Sequence, residues 1–291
     1  MDLKRLDELP RFYSVIFAGG GNRCVWQAGF WDVAAPALGL KPKVVASVSA
    51  GACIAAMALA GRTSESMAYM KAKTGANPKN FYLENLFNGK PVFPHLGIYR
   101  QALLDILNDE ALKRLKQGPD LRVLLARPPA WARPMMGVFL GFLSYTLEKH
   151  LFHPLHPQWA LKAGFKAEVV SLSTCRNSEE LADLILASSC TPPMVPAMYR
   201  DGRPVLDGGL IDNVPVAALE PYEFPALVLL TRRYPPHLLQ GQRDRVYLQP
   251  SQPVPAGKWD YTNPQALQDT FDLGRRDAEV FLQKGPQALQ Q

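Results

Sequence analysis

Two kinds of hydrophobic pattern alternate along the first part of the chain. Phe12–Phe17 (FYSVIF) is a short apolar and β-branched run that stops at Ala18-Gly19-Gly20-Gly21, the pattern of a buried strand feeding a glycine turn. Beyond the turn Val25, Trp26, Phe30, Val33 and Leu38 fall near helical spacing, and Gly39 is placed to stop that helix. Lys43–Ser47 then predicts a second strand, and Ala50–Ala60, rich in Ala, Met and Leu, a second helix ending at Gly61. Strand, turn and helix in that order, twice, argue for a parallel sheet with helices on its faces.

Further along, the pattern predicts helices near Glu65–Lys73, Tyr99–Asn108 and Ala111–Gln117 and strands at Leu121–Leu125 and Glu168–Ser173. Glu179–Ala187 reads as a helix followed by proline-rich turns to Asp201. Ala226–Thr231 and Arg245–Gln249 read as late strands, and Pro264–Leu282 as a closing helix. Residues 126–166 break the pattern with clustered prolines, three histidines and an apolar centre, and are expected to form a lid or membrane-docking insertion within a single domain spanning 1–291. The expected fold is therefore α/β: a three-layer α/β/α architecture with a mainly parallel central sheet and a helical or irregular insertion.

Composition supports a folded chain, since hydrophobic residues make up 47% and charged residues 20% of 291. The net charge is +6, and the basic excess sits in the middle: residues 61–176 carry 16 basic and 8 acidic side chains, whereas 177–291 carry 10 and 14. Such a block suits phosphate groups of nucleic acid or anionic lipid, and equally an ordinary solubilising surface. Cys24, Cys53, Cys175 and Cys190 show neither C-x-x-C pairing nor metal-type spacing, which points to reduced thiols. The opening MDLKRLDELPRFYS mixes charges of both signs before any apolar run, unlike a signal peptide. Pro134–Leu147 spans 14 uncharged residues, short of the roughly 20 a membrane-crossing helix needs. The expected location is cytoplasmic, peripheral to a membrane.

Three motifs carry candidate chemistry. Ser47-Val48-Ser49-Ala50-Gly51 sits where the second strand turns into the second helix, so Ser49 would be exposed at the sheet edge with a helix N-terminus aimed at it. Ala50 and Gly51 are the small neighbours such a turn requires; a helix N-cap is the plain structural alternative. Gly19-Gly20-Gly21-Asn22-Arg23 offers consecutive backbone amides at a helix start, suited to a phosphate or to the oxyanion of a tetrahedral intermediate. No Lys-Ser or Lys-Thr follows the glycines, which excludes a Walker-type phosphate loop. Asp207-Gly208-Gly209 places a carboxylate on a tight turn, which taken alone is an Asx turn.

Their order and spelling resemble the patatin-like phospholipase family, whose marks are G-G-G-x-[RK]-G, G-x-S-x-G and D-G-[GA]. Ala187-Ser188-Ser189-Cys190-Thr191-Pro192-Pro193 and Asp212-Asn213-Val214-Pro215 add to the likeness, which runs from about Ser14 to the closing helix. The resemblance implies a lipid acyl hydrolase with a Ser-Asp dyad: Ser49 as nucleophile, Asp207 as base, and Gly19, Gly20 and Gly21 with Arg23 as the oxyanion site. It implies neither metal nor organic cofactor. Two departures, Cys24 for the last glycine of the first mark and Ser47 for the first glycine of the second, leave open a catalytically silent lipid-binding protein.

Competing chemistries are weaker. A Ser-His-Asp triad would need His237, the only late histidine, and a zinc site would need His150, His153 and His156, which Pro154 and Pro157 keep off a common helix face. Met135–Leu147, between Trp131 and Trp159 and edged by Arg127, Arg133 and Lys149, suits an interfacial docking helix as well as a core helix. The expected partners are a lipid substrate and a membrane surface met through 126–166. Nucleic acid is not expected, since no recognisable module interleaves aromatic and basic residues.

Overall fold

A computed structural model describes residues 9–129, 155–157, 159–240 and 244–291. The chain begins with β1 (Ser14–Phe17), a single turn of 3₁₀ helix at Gly21–Cys24, and α1 (Val25–Leu38). β2 (Val44–Val48), α2 (Ala50–Leu59), α3 (Thr63–Gly75), α4 (His95–Ile106), α5 (Asp109–Gln117) and β3 (Asp120–Arg127) follow. β4 (Lys166–Ser171), α6 (Ser178–Ser188), β5 (Met198–Arg200), β6 (Arg203–Asp207), β7 (Ala226–Leu229), β8 (Arg245–Leu248) and α7 (Pro264–Lys284) complete it. One-turn helices at Trp159–Lys162 and Pro236–Leu239 lie between these elements.

Five strands form a parallel core in the order β3-β2-β1-β7-β8. β4 runs antiparallel along β3, and β5 and β6 form an antiparallel hairpin. The fold is thus three-layer α/β/α with a mainly parallel sheet, as the sequence pattern predicts. Burial alternates as a covered sheet requires: Val15, Phe17, Val45, Leu227 and Leu229 join the core beneath α1, α2, α4, α5, α6 and α7, while Ile16, Ala18, Val44, Ala46 and Val228 join the other. Among the described residues that second face is covered by short elements, including the 3₁₀ turn Val216–Ala218 and Pro236–Leu239.

α1 and α7 pack unusually closely. A Cβ on Gly29 would lie 2.0 Å from the Phe271 carbonyl oxygen, and one on Gly274 would lie 2.1 Å from that of Trp26. Each glycine therefore lets the partner backbone into its own groove, and the buried Trp26 indole N–H donates to Asp277 Oδ2 at 2.7 Å across the same seam.

Several boundaries differ from the sequence expectation. α4 starts at His95 rather than Tyr99, and β3 extends to Arg127. The stretch ending at Asp201, expected as turns only, contains β5, and β6 follows it. Asp201 and Gly202 between them have φ of 52° and 68°, the left-handed pair of a type I′ hairpin turn. Most of the 126–166 segment, including Met135–Leu147, Trp131, Arg133, Lys149, His150 and His153, lies outside the described residues.

Candidate active site

Register brings the two candidate residues together. β2 ends at Val48, opposite Leu124 on β3, and the next rung of β3, Leu125, pairs with Asp207 of β6. β4 occupies the other edge of β3 over Arg122–Arg127, so β6 continues the row that β2 leaves. Ser49, the first residue beyond β2, and Asp207, the last of β6, meet there although 158 positions separate them.

The Ser49 hydroxyl donates to Asp207 Oδ2 at 2.8 Å. Both residues are buried, at 6% and 7% exposure. Ser49 has φ 54° and ψ −137°, a backbone state that costs a non-glycine residue on the order of 1–3 kcal/mol and is held by its surroundings. Here its amide donates to Ser188 Oγ at 2.7 Å, and Ser188 in turn donates to the Leu124 carbonyl at 2.7 Å. Gly51 sits against β1, where a Cβ would lie 2.5 Å from the Ala18 oxygen, so α2 can start directly behind the serine.

Asp207 receives two more hydrogen bonds, from Thr191 Oγ1 to Oδ2 at 3.2 Å and from the Gly209 amide to Oδ1 at 2.8 Å. Burial nevertheless raises its pKa above the usual carboxylate range. The charge of Lys258 and the bonds from Ser49, Gly209 and Thr191 offset only part of that desolvation. Lys258 responds in kind: desolvation pulls its pKa down, Asp207 pulls it up, and Arg23 and Arg232 push it down again. The Lys258 residue as a whole remains exposed, and its ammonium lies 4.9 Å from the centre of the Trp259 ring.

The glycine turn is fixed by its carbonyls. Gly19 O accepts from Asn213 Nδ2 at 2.7 Å and from Thr231 Oγ1 at 2.6 Å, while Gly20 O accepts from Arg23 Nε at 3.2 Å. In a trans peptide the N–H points opposite to the C=O, so these anchors direct the amides of Gly20 and Gly21 away from them. Among the described residues the amides of Gly20, Gly21 and Ala50 meet no hydrogen-bond acceptor. Gly19 differs from expectation: its N–H already donates to the Asn213 carbonyl at 2.9 Å and is not free to hold an anion. Gly21 has φ 59°, and any Cβ there would lie 2.2 Å from the Lys258 carbonyl oxygen.

A family profile described as Patatin-like phospholipase matches residues 15–220, a range that contains the glycine turn, Ser49 and Asp207. The chain belongs to the patatin-like phospholipase family. Among solved structures, VipD from Legionella pneumophila is similar at a TM-score of 0.44 and 11% identity, with 96% of this chain and 70% of that chain covered. No curated protein sequence matches the chain.

Within this patatin-like framework the two sequence departures take up positions away from the dyad hydrogen bond. Cys24 is buried and its thiol donates to the Ala18 carbonyl at 3.5 Å. The Ser47 hydroxyl donates to the Arg122 carbonyl on the neighbouring strand at 2.8 Å. His237 is exposed on its one-turn helix, and the group bonded to Ser49 Oγ is Asp207. His156 lies in a separate polar cluster, with Nδ1 2.9 Å from Asp212 Oδ2 and Nε2 3.2 Å from the Tyr247 hydroxyl. Sequence reasoning missed Ser188, Thr191, Thr231 and Lys258 as site residues. The first two stand in the Ala187–Pro193 segment already noted, whereas nothing local marks Thr231 or Lys258. No helix among the described residues is long and apolar enough to cross a membrane.

Beside the turn and the elbow lies a small cavity of about 50 Å³, whose lining includes Gly21, Ala50, Ile54, Met57, Met67 and Met70.

Proposed function

We propose that this protein is a serine acyl hydrolase that cleaves lipid esters through a Ser49–Asp207 dyad and a covalent acyl-enzyme. The observation that carries the reading is the 2.8 Å hydrogen bond from Ser49 Oγ to Asp207 Oδ2 on a strained strand-to-helix turn. Family membership places it among proteins that hydrolyse lipid esters. Residues 1–291 act as one such domain, for β7 and β8 lie beyond the matched range and complete the sheet.

In the proposed reaction Ser49 Oγ attacks the ester carbonyl carbon as its proton passes to Asp207 Oδ2. The negative charge that develops on the carbonyl oxygen is met by the amides of Gly20, Gly21 and Ala50 and by the N-terminus of α2. Arg23 supports this indirectly, by holding the Gly20 carbonyl and adding positive charge nearby. Asp207 then gives its proton to the departing alcohol, leaving Ser49 acylated. Water attacks the acyl-enzyme, giving a proton to Asp207, and collapse of that second intermediate returns the proton to Ser49 and releases the fatty acid. The cavity lined by Gly21, Ala50, Met57, Met67 and Met70 would take the first part of the acyl chain. Its three flexible methionines allow it to widen around different chains.

A fluorophosphonate probe tests the reading directly, because it phosphonylates only an activated serine. Intact-mass and peptide spectra are expected to show one adduct, on Ser49, lost in Ser49→Ala and strongly slowed in Asp207→Asn. An unlabelled wild-type protein would overturn the assignment and favour the silent lipid-binding alternative.

The anchors of the glycine turn give a second, smaller effect. Asn213→Ala removes one of two bonds to the Gly19 carbonyl but leaves that from Thr231. Such a variant should lose on the order of tenfold in kcat with little change in KM, since oxyanion donors act on the transition state. Steady-state kinetics on a soluble ester check this.

A further inference from the structure

Nine large hydrophobic residues are exposed among those described, and four of them fall within seven consecutive positions: Phe81 at 41%, Leu83 at 61%, Leu86 at 55% and Phe87 at 94%. Scattered exposed apolar residues are ordinary, but a cluster of this kind marks a surface that something covers. Leu83–Phe87 forms a turn of 3₁₀ helix with no buried residue, and a groove lined by Phe81, Leu86, Val92, Phe93 and Leu96 continues behind it.

The loop that carries these residues is internally closed. The Tyr82 amide donates to the Val92 carbonyl at 2.9 Å, Asn85 Nδ2 to the Pro91 carbonyl at 2.8 Å, and the Lys90 amide to Asn88 Oδ1 at 3.0 Å. Satisfying backbone groups in this way removes a main cost of entering an apolar phase. The loop is also tied to the site. Asn77 Nδ2 donates to the Tyr261 carbonyl at 2.8 Å, Asn80 Nδ2 to Asp260 Oδ1 at 3.0 Å, and His95 Nε2 lies 2.9 Å from the Trp259 carbonyl. That 258–261 segment packs on the glycine turn through the Asn22 amide and the Lys258 carbonyl, 3.1 Å apart. On its other side the groove is walled by Pro193, Met194 and Pro196, just beyond Thr191.

Charge identifies the occupant. From residue 71 to residue 100 the basic side chains are Lys71, Lys73, Lys79, Lys90 and Arg100, and the only acidic one is Glu84; Lys79 pairs with Glu84 at 3.3 Å and Arg100 with Asp183 at 3.8 Å, which leaves Lys71, Lys73 and Lys90 as the basic excess. An apolar tip on a segment with a basic excess complements a bilayer with anionic headgroups, which attracts each nearby cation and takes up the apolar residues. We propose that Phe81, Leu83, Leu86 and Phe87 dock the protein on an anionic lipid bilayer, with Lys90 on the same loop meeting the headgroups. The assignment places a membrane contact at 79–100; most of 126–166, where the sequence also leads one to expect such a contact, lies outside the described residues. It builds on the reading of the chain as a lipid hydrolase, because the docking loop is tied through residues 258–261 to the glycine turn.

Vesicle cosedimentation tests the surface without relying on turnover. Full-length Ser49→Ala protein is mixed with vesicles of equal parts phosphatidylcholine and phosphatidylglycerol, or of phosphatidylcholine alone. Binding is expected to the anionic vesicles, to weaken with salt, and to fall at least about tenfold when Leu83, Leu86 and Phe87 are all changed to Ser. Lys90→Gln should weaken binding to anionic vesicles only. In the Ser49-containing background the triple variant should keep its hydrolysis of a soluble short-chain ester, which also shows that it folds. Unchanged vesicle binding by the triple variant would overturn the proposal. So would a wild-type dimer that the triple variant converts to monomer without any effect on vesicle binding, which would assign the patch to a second copy of the chain. If the soluble ester is not hydrolysed by the wild type while vesicle binding follows the pattern above, the hydrolase reading fails and the docking surface stands.

Discussion

Asp207→Asn is expected to abolish ester hydrolysis and to raise the melting temperature. The activity loss follows because the amide cannot accept the Ser49 proton. By comparison with the removal of a single member from other serine hydrolase sites, turnover should fall about 10⁴-fold, as should that of Ser49→Ala. The stability gain follows from linkage. Burial raises the folded-state pKa of Asp207, so the protonated carboxyl favours the native state, and that stability is lost as pH rises through the folded value. At neutral pH the wild type keeps an ionised carboxylate in a desolvated position, a cost that Asn does not carry. Differential scanning fluorimetry across pH should show the variant melting above wild type near neutrality, with the gap closing as the medium is acidified. A variant that melts lower at neutral pH would show that hydrogen bonding, rather than burial of charge, dominates there. The same ionisation sets the rate profile of the wild type: hydrolysis should decline as pH falls through a pKa above the usual carboxylate range.

The second large effect is expected in the fold. Gly274→Val places a branched side chain where even a Cβ would lie 2.1 Å from the Trp26 oxygen and 2.8 Å from the Phe30 nitrogen. Backbone atoms of a packed helix cannot swing aside as a side-chain tip can, so α1 and α7 must separate. Overpacking of this kind costs about 3 kcal/mol, which for a chain of this length lowers the melting temperature by about 5 °C. Gly97→Ala in α4 is the matched control. Its Cβ would meet nothing within 4 Å, and replacing an exposed helical glycine gains up to about 1 kcal/mol. Melting curves of the two variants should move in opposite directions. Equal shifts would show that helix propensity, not the α1–α7 contact, governs the response at Gly274.

What the sequence revealed and what it hid follow from the range of the forces involved. β1, β2 and their following helices were legible because burial on both faces writes continuous apolar runs, and because glycine turns punctuate them. Ser49 and Asp207 could be named because each sits on a turn whose local chemistry demands small neighbours. Their meeting could not be read from spacing, since it depends on β6 pairing with β3 just where β2 ends. The β5–β6 hairpin was missed although Asp201-Gly202 is a turn signal of the right kind, for its strands are short and one of them carries Pro204. Thr231 and Lys258 escaped for a different reason. A threonine after a buried strand and a lysine in a loop are common anywhere, and only tertiary packing puts one against the Gly19 carbonyl and the charge of the other near Asp207. The expectation that Gly19 contributes a free amide failed because the return contact from Asn213, 194 positions away, takes that hydrogen first.

The position of Thr231 has a bearing on how the molecule can be divided. The family profile matches residues 15–220, yet β7, which flanks β1, the threonine that pins the first glycine peptide, and the helix whose glycine interlocks with α1 all come afterwards. A fragment cut at the limit of recognisable kinship would keep every motif residue and lose the scaffold that aims them. The last seventy or so positions are therefore part of the frame that holds the candidate site, and a minimal folded unit has to be defined by backbone contacts instead of by shared sequence marks.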